Sequence, residues 1–147
     1  MKKQLLQLCV EYVNERMLTI EKTIQSHRSA LSSETKSSAG DKHETGRAML
    51  QLEMEKAGQQ LASIQQMKET LAKVNILKKS SVASLGTLIE TNLGSYFLSI
   101  SAGQLTVATN HYFAISVSSP IGKLLLGKKE GEVLFWNGKE INIQKIS

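Results

Sequence analysis

The chain has 147 residues, 18 Lys and Arg against 13 Asp and Glu, a formal net charge of +5 and a pI of about 9.4. A single cysteine, Cys9, excludes a disulfide framework and a zinc site built on cysteines, and it is expected to be half-buried. The N-terminus begins like a signal peptide, but Gln7, Glu11 and Asn14 interrupt the apolar run, and no 18-residue apolar span follows. A cytoplasmic protein is expected. The mild basic excess favours an acidic partner, such as nucleic acid or an enzyme that acts on it.

The first half of the chain carries two apolar stripes with alternating steps of three and four residues, which is the seam of a coiled coil. A helix from about residue 3 to residue 32 would be roughly 45 Å long. Two such helices joined by a short loop bury their stripes only by lying antiparallel. The first stripe is Leu6, Val10, Val13, Met17, Ile20, Ile24, His27 and Leu31. The second is Leu50, Met54, Ala57, Leu61, Ile64, Met67 or Lys68, and Leu71.

Two carboxylates, Asp41 and Glu44, stand where the predicted hairpin turns. Residues three apart on a helix share a face, so the pair is placed to hold one magnesium ion loosely. The same spacing is a capping box, in which Asp41 and Glu44 bond each other's backbone amides. Both interpretations stay open, and they can combine. Because a helix N-terminus repels cations, a useful metal site here would need further ligands from a partner.

The aromatic residues are concentrated after residue 75, which divides the chain into a coiled-coil domain (1–75), a linker (76–81) and a C-terminal domain (82–147). β-Branched and aromatic runs in the last part predict a small sheet. The strongest hairpin signal is Asn137-Gly138. The aromatics occur mostly as adjacent pairs, and most are expected in the core. The predicted strands are 84–90, 95–101, 105–108, 112–117, 132–136 and 140–146.

One short helix is predicted between Ser118 and Gly127, since serine is a good N-cap, proline fits the first helical position and glycine suits the exit. Two turns are expected, lying on the sheet through Ile121, Leu124 and Leu125. Lysines cluster at its end. They either complement the helix dipole or form a docking patch for a partner. These lysines are Lys123, Lys128 and Lys129.

The order of these features resembles the bacterial Gre transcript-cleavage factors. Gly40-Asp41-x-x-Glu44 at the turn is one part of the resemblance. The more specific part is Ser119-Pro120-x-x-x-x-Leu-x-Gly-Lys-x-x-Gly-Glu. The resemblance covers nearly the whole chain and implies an α+β protein, an antiparallel coiled-coil hairpin followed by a small FKBP-like β domain.

The resemblance also implies a function. Gre factors insert their coiled coil into the secondary channel of RNA polymerase and stimulate cleavage of backtracked RNA, a two-metal hydrolysis. Asp41 and Glu44 would assist catalysis by helping to place a magnesium ion shared with the polymerase, with no cofactor bound by the protein alone. Partner-binding residues would be Ser119, Pro120, Lys123, Lys128 and Lys129. The chain would be a monomer and no enzyme itself, with RNA polymerase and nascent RNA as partners, and without a membrane or small-molecule substrate.

Two departures from the Gre pattern define the main alternative. Thr45 stands where an asparagine is usual, and Ala108 to His111 stand where many Gre factors have an acidic element. The alternative is a Gre-like channel regulator without cleavage activity. The remaining alternatives are a prolyl isomerase or chaperone, which needs an aromatic-lined apolar pocket, and a structural coiled-coil adaptor.

Overall fold

The computed structural model describes residues 1–36 and 41–147, and the side chains of residues 1–33 and 45–147. Two long helices come first, followed by a six-stranded sheet with one short helix, so the predicted α+β class is confirmed. The helices are α1 (Lys2–Lys36), α2 (Asp41–Lys73) and α3 (Pro120–Leu125). The strands are β1 (Leu88–Thr91), β2 (Gly94–Ser99), β3 (Gly103–Val107), β4 (Asn110–Ser116), β5 (Val133–Trp136) and β6 (Lys139–Ile146).

The apolar stripes of α1 and α2 are the sides that the structure buries. Val13 and Ile20 of α1, and Ala57 and Ile64 of α2, are each less than 10% exposed. The sequence left either Met67 or Lys68 in the second stripe. Met67 is half-buried and Lys68 is exposed, so Met67 belongs to the stripe. Every predicted member of the first stripe is buried or half-buried. The predicted helix pair is confirmed, and α1 extends four residues beyond its expected end.

The chain forms two compact units. One consists of residues 13–67, the greater part of both helices. The other combines residues 1–12 with residues 68–147, so that the first turns of α1 belong with the sheet. The predicted domain boundaries at 75 and 82 stay a prediction.

The six strands form one sheet in the order β3-β4-β2-β1-β6-β5. Neighbouring strands are antiparallel except β2 and β4, which run parallel, with Phe97 opposite Ala114. The turn at Asn137-Gly138 has φ values of +51° and +74°, as expected for a tight hairpin. This turn was predicted, and it sets the register of Leu134 opposite Ile141.

The first strand is shorter than predicted. Residues 84–87 form a turn, because the Thr87 hydroxyl donates to the Ser84 carbonyl at 2.7 Å and accepts from the Ser84 amide at 3.1 Å. Gly86 has a φ of +90°, which is outside the strand region. The β-branched and aromatic run predicts a strand over 84–90, but because of these hydrogen bonds β1 begins only at Leu88.

The irregular spacing of the isoleucines in β6 reflects a bulge. Glu90 pairs with Lys145 and the next residue, Thr91, pairs with Ile143, so Gln144 is the extra residue. The insertion lets Ile141, Ile143 and Ile146 all face the core, at 0%, 2% and 7% exposure. The prediction of one buried face is confirmed despite the break in alternation.

One face of the sheet packs under α3. Leu125 of α3 is fully buried in a cluster with Ile89, Leu98 and Ile141, and Ile121 packs against that cluster. Leu124 was expected on the sheet as well, but it is 38% exposed because α3 has only six residues and presents one side inward. The prediction was therefore wrong for Leu124.

The opposite face of the sheet is covered from within the same unit. Phe97 and Ser99 point away from Leu98 because strand side chains alternate, yet both are 0% exposed. Cys9 of α1 lies with its Sγ 3.7 Å from the Ser99 Oγ, and Leu5, one turn earlier, is also 0% exposed. Cys9 is therefore fully buried, and the expected half-burial was wrong because the sequence does not show that α1 reaches the sheet.

The aromatic residues of the sheet are less uniformly buried than predicted. Phe97 and Tyr112 are buried, whereas Phe113 and Phe135 are 37% and 69% exposed. Phe113 lies beside Tyr96 across the parallel pair, with ring centroids 5.9 Å apart. Adjacent aromatic side chains do point to opposite faces of the sheet. Near the edges of the sheet one of those faces is exposed to solvent, which leaves Phe113 and Phe135 partly exposed.

The environment of Cys9 predicts a loss of stability at alkaline pH. Burial raises the pKa of its thiol, and the hydrogen bond with Ser99 offsets part of this effect. The unfolded chain releases the proton at about pH 8.5, while the folded chain keeps it. The unfolded state therefore binds fewer protons, and the free energy of unfolding decreases as pH rises from about 8.5 towards the folded pKa.

Urea unfolding at about pH 7.5 and about pH 9.5 measures this decrease. Cys9→Ala serves as the control, since it lowers stability at both pH values but removes the contribution of the thiol to the slope. The same pH slope in the wild type and in Cys9→Ala would contradict the assignment.

Candidate functional site

The start of α3 is organised by Ser119, Pro120 and Gly122. The Ser119 side chain accepts a hydrogen bond from the Gly122 amide at 3.0 Å and donates to the Ser116 carbonyl at 2.7 Å. Pro120 occupies the first helical position, where the missing backbone N–H of proline costs no hydrogen bond within the helix. The predicted cap is confirmed. Ser119 and Pro120 thus have structural roles here, and their predicted roles in partner binding stay predictions.

Gly122 faces the end of β4 at very short range. A Cβ built on it would lie 1.9 Å from the Ser116 carbonyl oxygen and 2.8 Å from the Ser119 Oγ. No side chain fits there without movement of the backbone. Close approach of the helix to the strand therefore requires glycine, and this requirement was not foreseen from the sequence.

The lysines after α3 lie on a strand-like connection. Gly127 has a φ of +84°, and its amide donates to the Ala83 carbonyl at 2.8 Å. The carbonyl of Lys128 accepts from the Ala83 amide at 2.8 Å, and Lys129 forms a bridge with Val82. Lys123 and Lys129 are exposed, whereas Lys128 is half-buried.

Two carboxylates accompany these lysines and bond to the backbone. Glu132 accepts from the Lys129 amide at 2.6 Å, and Glu130 accepts from the Ile146 amide at 2.9 Å. The predicted lysine patch is therefore a mixed surface rather than a continuous cationic one. The dipole and docking interpretations of its lysines both stay predictions.

The predicted catalytic pair falls at the start of α2. Asp41 is the first residue of that helix, and the side chains of Asp41, Glu44 and the neighbouring His43 lie outside the described residues. Their roles in capping or metal binding stay predictions. Among the residues whose side chains are described, no three His, Cys, Asp or Glu residues group as a metal site.

The remaining histidines have local explanations. His27 is half-buried on the α1 stripe as predicted, and within the described part of the chain its Nδ1 has no hydrogen-bond partner. His111 is the second residue of β4, and its Nδ1 accepts a hydrogen bond from the side-chain Nε2 of Gln104 at 2.8 Å. A third group, the Thr106 hydroxyl, lies 3.1 Å from the same nitrogen.

Two surface grooves lie on the unit formed by residues 1–12 and 68–147. The larger, of about 830 Å³, involves the start of α1, the segment after α2 and the end of β6. The smaller, of about 630 Å³, lies between the start of α1 and the β3–β4 turn. In that turn Ala108 has a φ of +55°, a backbone conformation that residues other than glycine rarely adopt. No aromatic residue lines either groove.

None of the described helices holds an apolar stretch long enough to cross a membrane. No protein-family model matches the chain, and a search of curated proteins finds no match. Among solved structures the chain is similar to the transcription factor Gfh1, at 22% identity over 92% of this chain and 91% of that chain, with a TM-score of 0.37. A similarity this low does not assign a function to the chain.

Proposed function

We propose that this chain is an accessory factor of bacterial RNA polymerase that stimulates cleavage of backtracked RNA. One observation carries the proposal. Helices of 35 and 33 residues flank residues 37–40, and Asp41 and Glu44 begin the second helix. At 1.5 Å per residue, the last residue of α1 lies about 50 Å along the helix axis from its first residue. Such a pair is suited to carry two carboxylates into a deep site on another molecule.

The order of the two parts supports the same proposal. A helix pair followed by a sheet domain is the arrangement that the resemblance to Gre factors implies. Within the most specific stretch, Ser119 caps a helix and Gly127 takes the left-handed conformation. Both residues therefore have the structural roles expected of serine and glycine at the ends of a helix, which supports a related architecture for the sheet domain.

The chemistry would belong to the polymerase. Two magnesium ions in such a site activate water and stabilise the displaced oxygen of the RNA. Asp41 and Glu44 would supply carboxylate oxygens to one of these ions. Because the N-terminus of α2 has the positive end of the helix dipole, the two residues alone would bind magnesium weakly. In this proposal the protein is a cytoplasmic accessory factor with no resident cofactor, and the catalyst is the polymerase.

Cleavage of RNA in stalled, backtracked polymerase complexes tests the proposal. Asp41→Ala and Glu44→Ala are each expected to slow the stimulated cleavage by about 10- to 100-fold. Asp41→Asn separates the two roles of that residue, because asparagine is a good N-cap but carries no charge. Cleavage should fall in Asp41→Asn as well.

Glu55→Ala is the matched control, since Glu55 is an exposed acidic residue in the interior of the same helix. This variant should stimulate RNA cleavage by the polymerase as well as the wild type does. If Asp41→Ala and Glu44→Ala also match the wild type, the carboxylates have no metal role and the proposal fails.

A second candidate is a polymerase regulator without cleavage activity. It is favoured by the turn after β3 and the start of β4, where the exposed residues Ala108, Thr109, Asn110 and His111 carry no acidic group. The same assay separates the two functions. A regulator of this kind would bind the polymerase and change initiation, but it would leave the length of the backtracked RNA unchanged.

A further inference from the structure

The larger groove of the sheet unit brings together four lysines from distant parts of the sequence. They are Lys2 of α1, Lys79 of the segment after α2, Lys129 of the connection before β5, and Lys145 of β6. The groove has a volume of about 830 Å³, which is within the range of binding sites. Its lining includes one acidic residue, Glu130.

The positive charge of this groove, hereafter the lysine groove, is not balanced by its carboxylates. Glu130 accepts a hydrogen bond from the Ile146 amide at 2.9 Å, and Lys145 stands opposite Glu90 in the β1–β6 register. A hydrogen bond from a neutral amide does not cancel the charge of Glu130, so Lys2, Lys79 and Lys129 face one acidic side chain and keep a net excess of positive charge. An anion placed in the groove would meet attraction from several ammonium groups at once.

The pKa of Lys2 responds first to burial and then to a neighbouring lysine of the groove. Burial lowers its pKa, and the positive charge of Lys79 lowers it further. The Nζ of Lys2 donates a long hydrogen bond of 3.4 Å to the Lys78 carbonyl. A carboxylate bound near Lys2 and Lys79 would relieve their mutual repulsion.

Apolar side chains give the lysine groove a second property. Leu77 is 87% exposed, the most exposed large apolar side chain on the described surface, and Ile76 beside it is half-buried. Both line the groove with the lysines. An exposed leucine among cations suits a ligand that presents an apolar side chain between carboxylates. Single-stranded nucleic acid would instead need aromatic rings for its bases, and none lines the groove.

We propose that the lysine groove binds an acidic peptide segment of a partner protein, with Lys2, Lys79 and Lys129 contacting carboxylates and Leu77 contacting an apolar side chain. This site goes beyond the proposed function. The groove includes neither Asp41 nor Glu44, and binding to it can be tested on the protein alone.

Fluorescence anisotropy with a labelled peptide of four Glu-Glu-Leu repeats tests the site. Replacing its glutamates with glutamines is expected to weaken binding at least about tenfold, and replacing its leucines with serines by a smaller factor. Binding of the acidic peptide should weaken as salt is raised, because exposed charges are screened.

Matched protein variants locate the site. Lys79→Glu with Lys129→Glu is expected to reduce peptide affinity at least about tenfold. The control is Lys22→Glu with Lys56→Glu, which makes the same change in net charge at exposed helix positions outside the groove. Leu77→Ser should remove the advantage of leucine over serine in the peptide. Fluorescence of Trp136 and circular dichroism confirm that each variant is folded.

Two outcomes would overturn the proposal. Equal loss of affinity in the two double variants would mean that the peptide responds only to net charge. Tighter binding of an oligonucleotide of similar charge, lost in Lys79→Glu with Lys129→Glu, would assign the groove to nucleic acid instead.

Discussion

Replacing Gly122 with alanine is expected to lower the free energy of unfolding of the sheet unit by about 3 kcal/mol or more. The new Cβ would lie 1.9 Å from the carbonyl oxygen of Ser116, and 2.8 Å from the hydroxyl that caps the helix. Since the first contact is with backbone, rotation of a side chain cannot relieve it. Either α3 moves away from β4, or β4 distorts, and both changes disturb the core around Leu125.

Fluorescence of Trp136 in urea measures this effect, because it is the one tryptophan of the chain and packs against the core cluster below α3. Gly58→Ala is the matched control. A Cβ at Gly58 meets nothing within 4 Å, and alanine favours the helix by up to about 1 kcal/mol. Stability of Gly122→Ala equal to that of the wild type would mean that α3 does not lie against Ser116.

The contact at Gly122 also explains why the stretch after Ser119 is so distinctive in sequence. Ser119 caps the helix, Pro120 starts it, Gly122 lets it approach β4, and Gly127 takes a positive φ after the helix ends. Each residue type has a local structural reason. The stretch therefore identifies an architecture more directly than a docking surface, and its roles in partner binding need separate tests.

The sequence predicted the elements that depend on local patterns. Steps of three and four residues gave both long helices, and Asn137-Gly138 gave the last hairpin, because helix faces and tight turns are set by neighbours in the chain. The bulge at Gln144 and the late start of β1 were missed. The bulge depends on pairing that forms only when the register is fixed, such as that of Thr91 with Ile143, whereas the late start of β1 depends on the hydrogen bonds between Ser84 and Thr87.

The candidate sites were predictable to different degrees. Asp41 and Glu44 could be picked out because two carboxylates at helical spacing are visible in the sequence itself. The lysine groove could not, since Lys2 and Lys145 are 143 positions apart and meet only through the fold. Lys78 and Lys79 fall in the predicted linker of residues 76–81. The one available signal was the adjacent Leu77, an apolar residue that no predicted stripe or strand used.

A second large effect is expected from Leu5→Ala, which should lower the free energy of unfolding of the sheet unit by about 2 to 5 kcal/mol. Leu5 is 0% exposed, in a compact unit of residues 1–12 and 68–147. Its neighbour on the same face of α1, Cys9, lies 3.7 Å from Ser99 of β2. Removal of three side-chain carbon atoms leaves a cavity beside the sheet as well as a loss of apolar burial.

The matched control is Leu18→Ala, because Leu18 lies on the same helix but is 58% exposed. Its cost should stay within about 0.5 kcal/mol. Trp136 fluorescence makes the comparison informative for domain organisation, because Trp136 packs against the core cluster of the sheet. If the predicted domain of residues 82–147 were independent of α1, Leu5→Ala would leave the Trp136 transition in place. A shift of that transition in Leu5→Ala, with none in Leu18→Ala, would show that the first turns of α1 stabilise the sheet, so that the sheet unit includes the N-terminus of the chain.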